Sequence, residues 1–454
     1  MDMVLQDGCV ITGDGTTLLS RADVLVSGGQ ILDIDRSCTH HRRLDGGANA
    51  IDASGCTIIP GIINAHAHGC IHGPSMPSGS VGLKSCDVEY NRNRHLLQGT
   101  TTLLNVCGLA FPDEIDHGPA TAHPMDIQVT TAHTDSNIEA ALAVDGAGLS
   151  ARHIRATVDE LLSRGAKALG EVGGGQTLGG GAQEYKFIPD AIKNQTGIAV
   201  VPAVARCLKN AVLGRYLNPS DGVSDEELQA ELENCGLVGM VQVEQIRTIV
   251  TNSVMPSVSK ALAGFEEIAA QSARVGYPAI FHNAAPTASR LVELAENYPT
   301  ARIVAGHSNH PSFLPDEAVA FASKLRDRGA TVDVSTLDCI STRWRNDATN
   351  FDTLIESGLV DTISTDFAGG HWDGILEAIH RIVRKKQLCA PAAVALATGN
   401  VARIFPQLAG DRGLVEKGKR ADLVIADSVN LSRVRDVFVA GKPVVRNGRI
   451  VWPA

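Results

Sequence analysis

The sequence predicts an α/β protein: a (β/α)₈ TIM barrel with a small β-sandwich domain built from both chain termini. Two observations lead there. Through the middle of the chain, short apolar runs alternate with amphipathic helical stretches. At both ends the texture changes to brief apolar runs separated by Gly and Asp. In the N-terminal part these runs are Met3–Leu5, Cys9–Ile11, Val24–Val26 and Ile31–Ile34, which read as short strands. The C-terminal part returns to them at Asp422–Asp427, Val437–Val439 and Pro443–Val451. There Asn447-Gly448, between two apolar runs, signals a tight hairpin. Residues 1–56 plus 411–454 are therefore assigned to one β domain, and 57–410 to the barrel.

Within 57–410 the candidate strands are 57–68, 100–106, 127–132, 166–172, 278–283, 301–307, 330–335 and 360–366, eight in all. Helical patterns lie between them at Ile154–Arg164, Val258–Val275, Ala288–Asn297 and Ala318–Arg328. The interval between the fourth and fifth strands is far longer than the others, so residues 175–257 read as an insertion over the top of the barrel. That position predicts a segment that shapes the pocket rather than the fold, with a lid movement as one expectation. Gly173-Gly174-Gly175 and Gly179-Gly180-Gly181 at its start read as a loop. A phosphate cradle is disfavoured because no Lys-Ser/Thr follows.

Composition narrows the class without naming the chemistry. The chain has 454 residues, 44% hydrophobic and 20% charged, as in an ordinary soluble globular protein. Its 40 Lys+Arg against 50 Asp+Glu give a net charge of −10, which disfavours binding driven by phosphate neutralisation. No stretch approaches the ~18 uninterrupted apolar residues of a membrane span, and Met1–Gly8 lacks the features of a signal peptide. Ten dispersed Cys without a CxxC pair suggest a reduced protein. The expectation is a cytoplasmic homo-oligomer with a small-molecule substrate and no nucleic-acid or membrane partner.

The strongest local signal is Ile58-Ile59-Pro60-Gly61-Ile62-Ile63-Asn64-Ala65-His66-Ala67-His68. Residues two apart on a strand share a face, so His66 and His68 both point into the barrel, a bidentate start to a metal site. Other ligand-type residues close later candidate strands: Glu171, His282, His307 and Asp366. Active sites of such barrels gather at those C-terminal strand ends. Any one of these alone is more often a core or loop residue. Six converging on one mouth point to a metal centre. Four imidazoles and two carboxylates suit Zn²⁺ first, with Fe²⁺ or Mn²⁺ as alternatives.

This set resembles the amidohydrolase superfamily, a group of metal-dependent hydrolases, over residues 4 to 451, and its enamidase-like branch in particular. The superfamily's paired histidines of strand one match His66 and His68. Its bridging ligand of strand four falls in Gly170-Glu171-Val172-Gly173, on Glu171. Its histidines of strands five and six match His282 and His307, and its strand-eight Asp matches Asp366. Ala397-Thr398-Gly399-Asn400 and Gly413–Val424 are similar to the superfamily's return into the β domain. The usual bridge is a carboxylated Lys. Lys167, four residues before Glu171 and one layer deeper, would have to reach past it, so Glu171 is the bridge expected here. After His282 comes Asn283-Ala284-Ala285, without the Glu three residues on that resembles the deaminase branch's proton shuttle. A cytosine- or triazine-type deaminase is therefore disfavoured.

What the resemblance implies is hydrolysis of an amide C–N bond, of cyclic amide or lactam type, in a small molecule. Two divalent ions would share a hydroxide of lowered pKa, with Asp366 as the catalytic proton relay. For substrate contacts the candidates are Arg343, Arg345, His371, Cys70 and His72, with Asn309 and His310 of the same standing. An Arg there could hold a substrate carboxylate in a bidentate pair. Two other readings stand beside this one: a hydrolase of linear N-acyl or carbamate-like bonds on the same site, and a non-catalytic barrel scaffold.

Overall fold

The computed structural model describes residues 2–37, 49–116, 118, 122–173, 178, 181–337, 347–366 and 374–451. Eight strands, Ile62–Ala67, Thr100–Asn105, Asp126–Thr131, Ala168–Val172, Pro278–His282, Arg302–Gly306, Thr331–Ser335 and Thr362–Ser364, pair in chain order into one parallel sheet. They are buried along almost their whole length, which is why they read as apolar runs without alternation. The first and last strands meet through Asp366 N donating to His66 O at 3.0 Å and Asn64 Nδ2 donating to Thr365 Oγ1 at 2.7 Å. The sheet thus closes almost completely into a barrel.

Inside it, Ile63, Ala65, Leu104, Val106, Ala168, Ile280 and Val304 pack with Val401, Phe405 and Leu408. Val401 and Leu408 come from helices Gly399–Ile404 and Pro406–Ala409, Phe405 from the residue that joins them, and the three plug the N-terminal end of the barrel. The opposite end, where the strands finish, is left for the ligand-type residues.

Two helical expectations need correction. The helix expected from Val258 starts earlier and runs Val243–Val275, with Pro256 inside it. Proline removes one N–H and disfavours a helix interior. Ile246, Ile249, Val250 and Val254 nevertheless continue the buried face upstream, and that tertiary burial overrides the local signal. The stretch Ile154–Arg164 instead breaks into helices Ala151–Arg155 and Val158–Arg164. Thr157 begins the second, its Oγ1 accepting from Glu160 N at 3.2 Å. Between the fourth and fifth barrel strands the chain forms helices Ile188–Thr196, Pro202–Leu213 and Asp225–Asn234 before the long helix. No helix among the described residues is long and apolar enough to cross a membrane.

The strands of both termini form a separate nine-stranded sheet. The apolar run at 57–68 is divided between the two sheets. Cys56–Pro60 pairs antiparallel with Leu423–Asp427, whereas Ile62–Ala67 enters the barrel. The hinge is Gly61, where a Cβ would lie 2.2 Å from Thr101 Oγ1, so only glycine lets the chain pass that close. Alternation then sorts the C-terminal strand. Leu423 and Ile425 join Leu5, Val10 and Val24 in the terminal core, while Val424 and Ala426 pack on the barrel side with Leu376 and Ile379. The hairpin after Lys442–Arg446 turns through Asn447 (φ 49°) and Gly448 (φ 70°), the left-handed pair that a two-residue turn requires.

One ion network ties the two sheets together. Arg412 Nη2 lies 2.6 Å from Asp126 Oδ2 at the start of the third barrel strand, and its Nε lies 3.2 Å from Asp422 Oδ2. Asp422 is 3% exposed, and its Oδ1 accepts from Ala440 N at 2.7 Å. Removing one partner of a buried pair leaves an uncompensated charge. Arg420, 3.0 Å from Asp422, remains to offset part of it. Arg412→Ala should therefore cost roughly 2 kcal/mol, below the ~3–5 kcal/mol of a fully broken buried pair. Urea unfolding followed by far-UV circular dichroism measures it, and a loss under about 0.5 kcal/mol would place the network among inconsequential surface pairs.

Candidate metal centre

Three of the six predicted ligands lie in barrel strands near their ends, and the other three follow a strand end. His66 lies in the first strand and His68 just beyond it, both 2% exposed. Glu171 is in the fourth strand, His282 ends the fifth, His307 follows the sixth and Asp366 follows the eighth. The structure brings all six together. Glu171 is at the centre, and its two carboxylate oxygens face different histidines. Oε2 lies 3.6 Å from His66 Nε2 and 3.3 Å from His68 Nε2. Oε1 lies 3.3 Å from His282 Nδ1 and 3.1 Å from His307 Nε2. Asp366 Oδ1 completes the first group, 3.2 Å from His66 Nε2 and 3.5 Å from His68 Nε2.

These separations suit cations. Donors about 2.0–2.1 Å from a tetrahedral Zn²⁺ stand roughly 3.3–3.4 Å apart, and the contacts above lie on either side of that. Three buried imidazole nitrogens, both of His66 and Nδ1 of His68, make no hydrogen bond. His66 Nε2 is one of them although two carboxylates flank it. A buried polar atom left unpaired costs about 1–3 kcal/mol, which a bound cation would relieve. Among the described residues, no Lys or Arg forms an ion pair with Glu171 or Asp366. Two carboxylates and four imidazoles, with no Lys or Arg among them, suit a divalent cation.

The electrostatics follow the same logic. Burial alone would raise the pKa of Glu171, yet the surrounding histidines, His66 foremost, hold it well below the usual carboxylate range. Burial likewise opposes ionisation of Asp366, and His307, His66 and His68 outweigh it, so its pKa is lowered. The effect is reciprocal for His68, whose pKa is raised well above normal: burial disfavours its charge, but Asp366, Cys107 and Glu171 outweigh burial. His282 is lowered, by burial first and then by the neighbouring His307.

Backbone geometry holds the donors in place. At Glu171 the pairing with the fifth strand skips a residue: Ile280 pairs with Gly170 and Phe281 with Val172. Such a bulge re-aims the intervening side chain, here into the barrel mouth. His307 (φ 37°) and Asp366 (φ 47°) adopt the left-handed region. Buried Asp333 supports the first, its Oδ2 accepting from His307 N at 3.4 Å and its main-chain O from Ser308 N at 2.7 Å. The barrel-closing bond to His66 O supports the second.

The other predicted contacts divide. Cys70 is fully buried in an apolar cluster with Ile71, Leu103 and Phe111, its thiol pushed up to about 12 by burial. It therefore serves packing, and the structure does not bring it into the donor cluster. His72 is half-buried, its main-chain N donating to Glu114 O at 2.9 Å, and it too stands outside the cluster. Asn309 is used structurally, its amide joining Ser335 N and O. His310 lies beside the site, its ring 5.4 Å from His282. Arg343, Arg345 and His371 lie outside the described residues. Lys167 precedes the fourth strand and is absent from the donor groups.

Sequence reasoning missed Cys107. It contributes to the raised pKa of His68, accepts from Asn105 Nδ2 at 2.6 Å, and lines a cavity with Glu171. The same cavity is walled by Leu109, Ala132, Ala141, Val144 and Ala261. The signal was available: Cys107 follows the end of the second strand by two residues, where barrel active sites are built.

Fold and donor set together define a (β/α)₈ barrel protein with a metal-type cluster at the C-terminal mouth. Residues 279–451 match the sequence model of the Amidohydrolase family. A D-hydantoinase of Geobacillus stearothermophilus is 32% identical over 107 residues, which span 24% of this chain and 20% of that enzyme. Solved structures are similar in fold over almost the entire chain. A β-aspartyl dipeptidase from Fervidobacterium islandicum AW-1 aligns with TM-score 0.53 at 16% identity, covering 100% of this chain and 98% of that one. An N-acyl-D-glutamate deacylase from Bordetella bronchiseptica, complexed with zinc and a phosphonate inhibitor, aligns with TM-score 0.55 at 17% identity, covering 99% and 98%. The sequence likeness to the amidohydrolase family thus covers residues 279–451, and the likeness in fold covers almost the whole chain.

Gly170 gives a direct test of how the site is built. Its φ is +90°, and a Cβ there would lie 2.1 Å from Ile280 O. A left-handed non-glycine residue alone costs roughly 1–3 kcal/mol, and the clash adds to it. Gly170→Ala should thus lower stability by at least about 2 kcal/mol and reduce bound metal, although Gly170 itself ligates nothing. Denaturant unfolding and metal analysis of the purified variant check both. A variant as stable and as metal-rich as wild type would show that the bulge is not what aims Glu171.

Proposed function

We propose that the chain is a metal-dependent amidohydrolase that cleaves a C–N bond of a small molecule, a cyclic amide of lactam type first. The observation that carries this reading is the division of Glu171, with one oxygen toward each histidine pair. One ion would be held by His66, His68, Glu171 Oε2 and Asp366, the other by Glu171 Oε1, His282 and His307. Zn²⁺ is the preferred occupant, with Fe²⁺ or Mn²⁺ as alternatives. When bound, such a pair lowers the pKa of water toward neutrality and polarises a substrate carbonyl.

The remaining work falls to the protein. Asp366 is the more open carboxylate, its side chain 16% exposed against 3% for Glu171. Like any exposed-edge carboxylate it is anionic at neutral pH, the state that can accept a proton from attacking water. Oδ1 faces the histidines, which leaves Oδ2 to carry that proton to the departing nitrogen. An amide nitrogen leaves poorly until protonated, so this transfer is the step the chemistry most requires.

The D-hydantoinase likeness supports the cyclic-amide reading and does not reach the enamidase-like branch. The full-length similarity to an N-acyl-D-glutamate deacylase supports the linear N-acyl alternative on the same donors. A panel of cyclic amides, imides and N-acyl compounds, offered to the metal-loaded protein, separates the two. A chain that purified with well under one ion and cleaved no member would instead be a scaffold.

Glu171→Gln should leave the fold intact and strip at least one ion, because a neutral amide cannot offset two divalent cations. Retention of both ions in Glu171→Gln, with loss of both in Lys167→Ala, would reverse the bridge assignment. Asp366→Asn should keep most of its metal and still bind a substrate analogue. It should turn over at least ~100-fold more slowly, the low end for loss of a general acid–base group. Near-normal turnover on a substrate with a poor leaving group would move the proton relay to another residue.

A further inference from the structure

The segment between the fourth and fifth barrel strands carries another group of ligand-type atoms. Cys207 lies on helix Pro202–Leu213 and is exposed. Cys235 ends helix Asp225–Asn234, and Glu231 sits one turn before it. Their sulfur and oxygen atoms all lie within 4.8 Å of one another, with Cys235 Sγ 3.9 Å from Glu231 Oε1. Both thiols are free.

Two features make this group short of positive charge. Glu231 forms no ion pair with any described Lys or Arg. The last turn of Asp225–Asn234 has no basic residue, so the partial negative charge of the helix C-terminus is uncompensated. A divalent cation would relieve both.

The spacing also suits one. Zn–S bonds of about 2.3 Å and Zn–O bonds of about 2.0–2.2 Å put tetrahedral S and O donors roughly 3.5 Å apart, and S donors roughly 3.8 Å apart. We propose that Cys207, Cys235 and Glu231 form a second metal site, taking a thiophilic divalent ion of the Zn²⁺ class. With three protein ligands its fourth position is left to water, which makes the site open and exchangeable rather than a closed structural one. Binding joins two thiolate sulfurs to the ion and releases their two protons to solvent, with no change of oxidation state. Its effect is to clamp helix Pro202–Leu213 to helix Asp225–Asn234. This inference stands independently of the reaction proposed above.

Cadmium is the probe, because thiolate–Cd²⁺ bonds absorb in the ultraviolet whereas imidazole and carboxylate bonds do not. The full-length protein, reduced and with its histidine-rich centre already loaded with Zn²⁺, is titrated with Cd²⁺. Wild type should show a thiolate band that saturates near one equivalent. Cys207→Ser should weaken that binding at least about 100-fold, and Glu231→Gln about tenfold with the band retained. Cys86→Ser and Cys389→Ser, at exposed cysteines outside the group, should titrate like wild type and serve as controls. A Cys207→Ser variant, folded by circular dichroism, that gives the wild-type titration would overturn the proposal. So would fully reduced wild-type protein that shows no thiolate band over several equivalents of Cd²⁺.

Discussion

The structure is organised around one buried carboxylate. Glu171 is 3% exposed and has no Lys or Arg against it. Burying an unpaired anion is among the costlier things a fold can do, and a chain tolerates it only where partners compensate. Here the partners are four imidazoles approaching from three strands, two on each carboxylate oxygen. Imidazole can serve either as a protonated partner or as a neutral ligand, so the same contacts accommodate the centre with or without cations. A Lys or Arg in their place would satisfy the charge permanently and close the site to metal.

That constraint explains several local irregularities. The skipped residue opposite Ile280–Phe281 exists at the point where Glu171 must turn inward, and only glycine fits just before it. His307 and Asp366 adopt a backbone conformation unfavourable for their residue types at the two other places where donors are required. Asp333 and the bond that closes the barrel hold them there. These three irregularities meet at the C-terminal mouth. The opposite end is plain apolar packing, with Val401, Phe405 and Leu408 filling the barrel floor. Stability and chemistry occupy different ends of the same barrel.

Much of this was legible in the sequence because period-two geometry is local. His66 and His68 declare a shared face by spacing alone, and His282 closes an apolar run in a way any parallel strand would show. The division of 57–68 between two sheets was not legible, because it depends on how closely Gly61 approaches Thr101, a contact made across the fold. The long helix was hidden by Pro256, a local signal overruled by a buried face that only the tertiary structure supplies. Cys107 was passed over because a lone thiol carries no spacing argument until the second strand is set beside the first. Substrate contacts are the least legible class, since they sit on loops whose path no periodicity records. Cys70 shows the hazard: adjacent in sequence to the metal pair, it points into packing instead.

The segment between the fourth and fifth strands cannot be considered apart from the metal centre. Gly173, two residues after Glu171, would place a Cβ 2.3 Å from Phe265 of the long helix, so strand end and helix are in direct contact. Phe265 in turn packs on Phe281, with ring centroids 5.2 Å apart, and Phe281 immediately precedes His282. The same apolar cluster extends through Ile246 and Val250 to Leu208, Val212 and Leu228. The helices of the insertion are thus fused by a continuous core to the two strands that carry Glu171 and His282. A close-packed interior transmits displacement rather than absorbing it. A change in how helices Pro202–Leu213 and Asp225–Asn234 sit on the long helix therefore bears on the Glu171–His282 contact, even without touching substrate. The insertion and the strands that carry Glu171 and His282 are held by one packing arrangement.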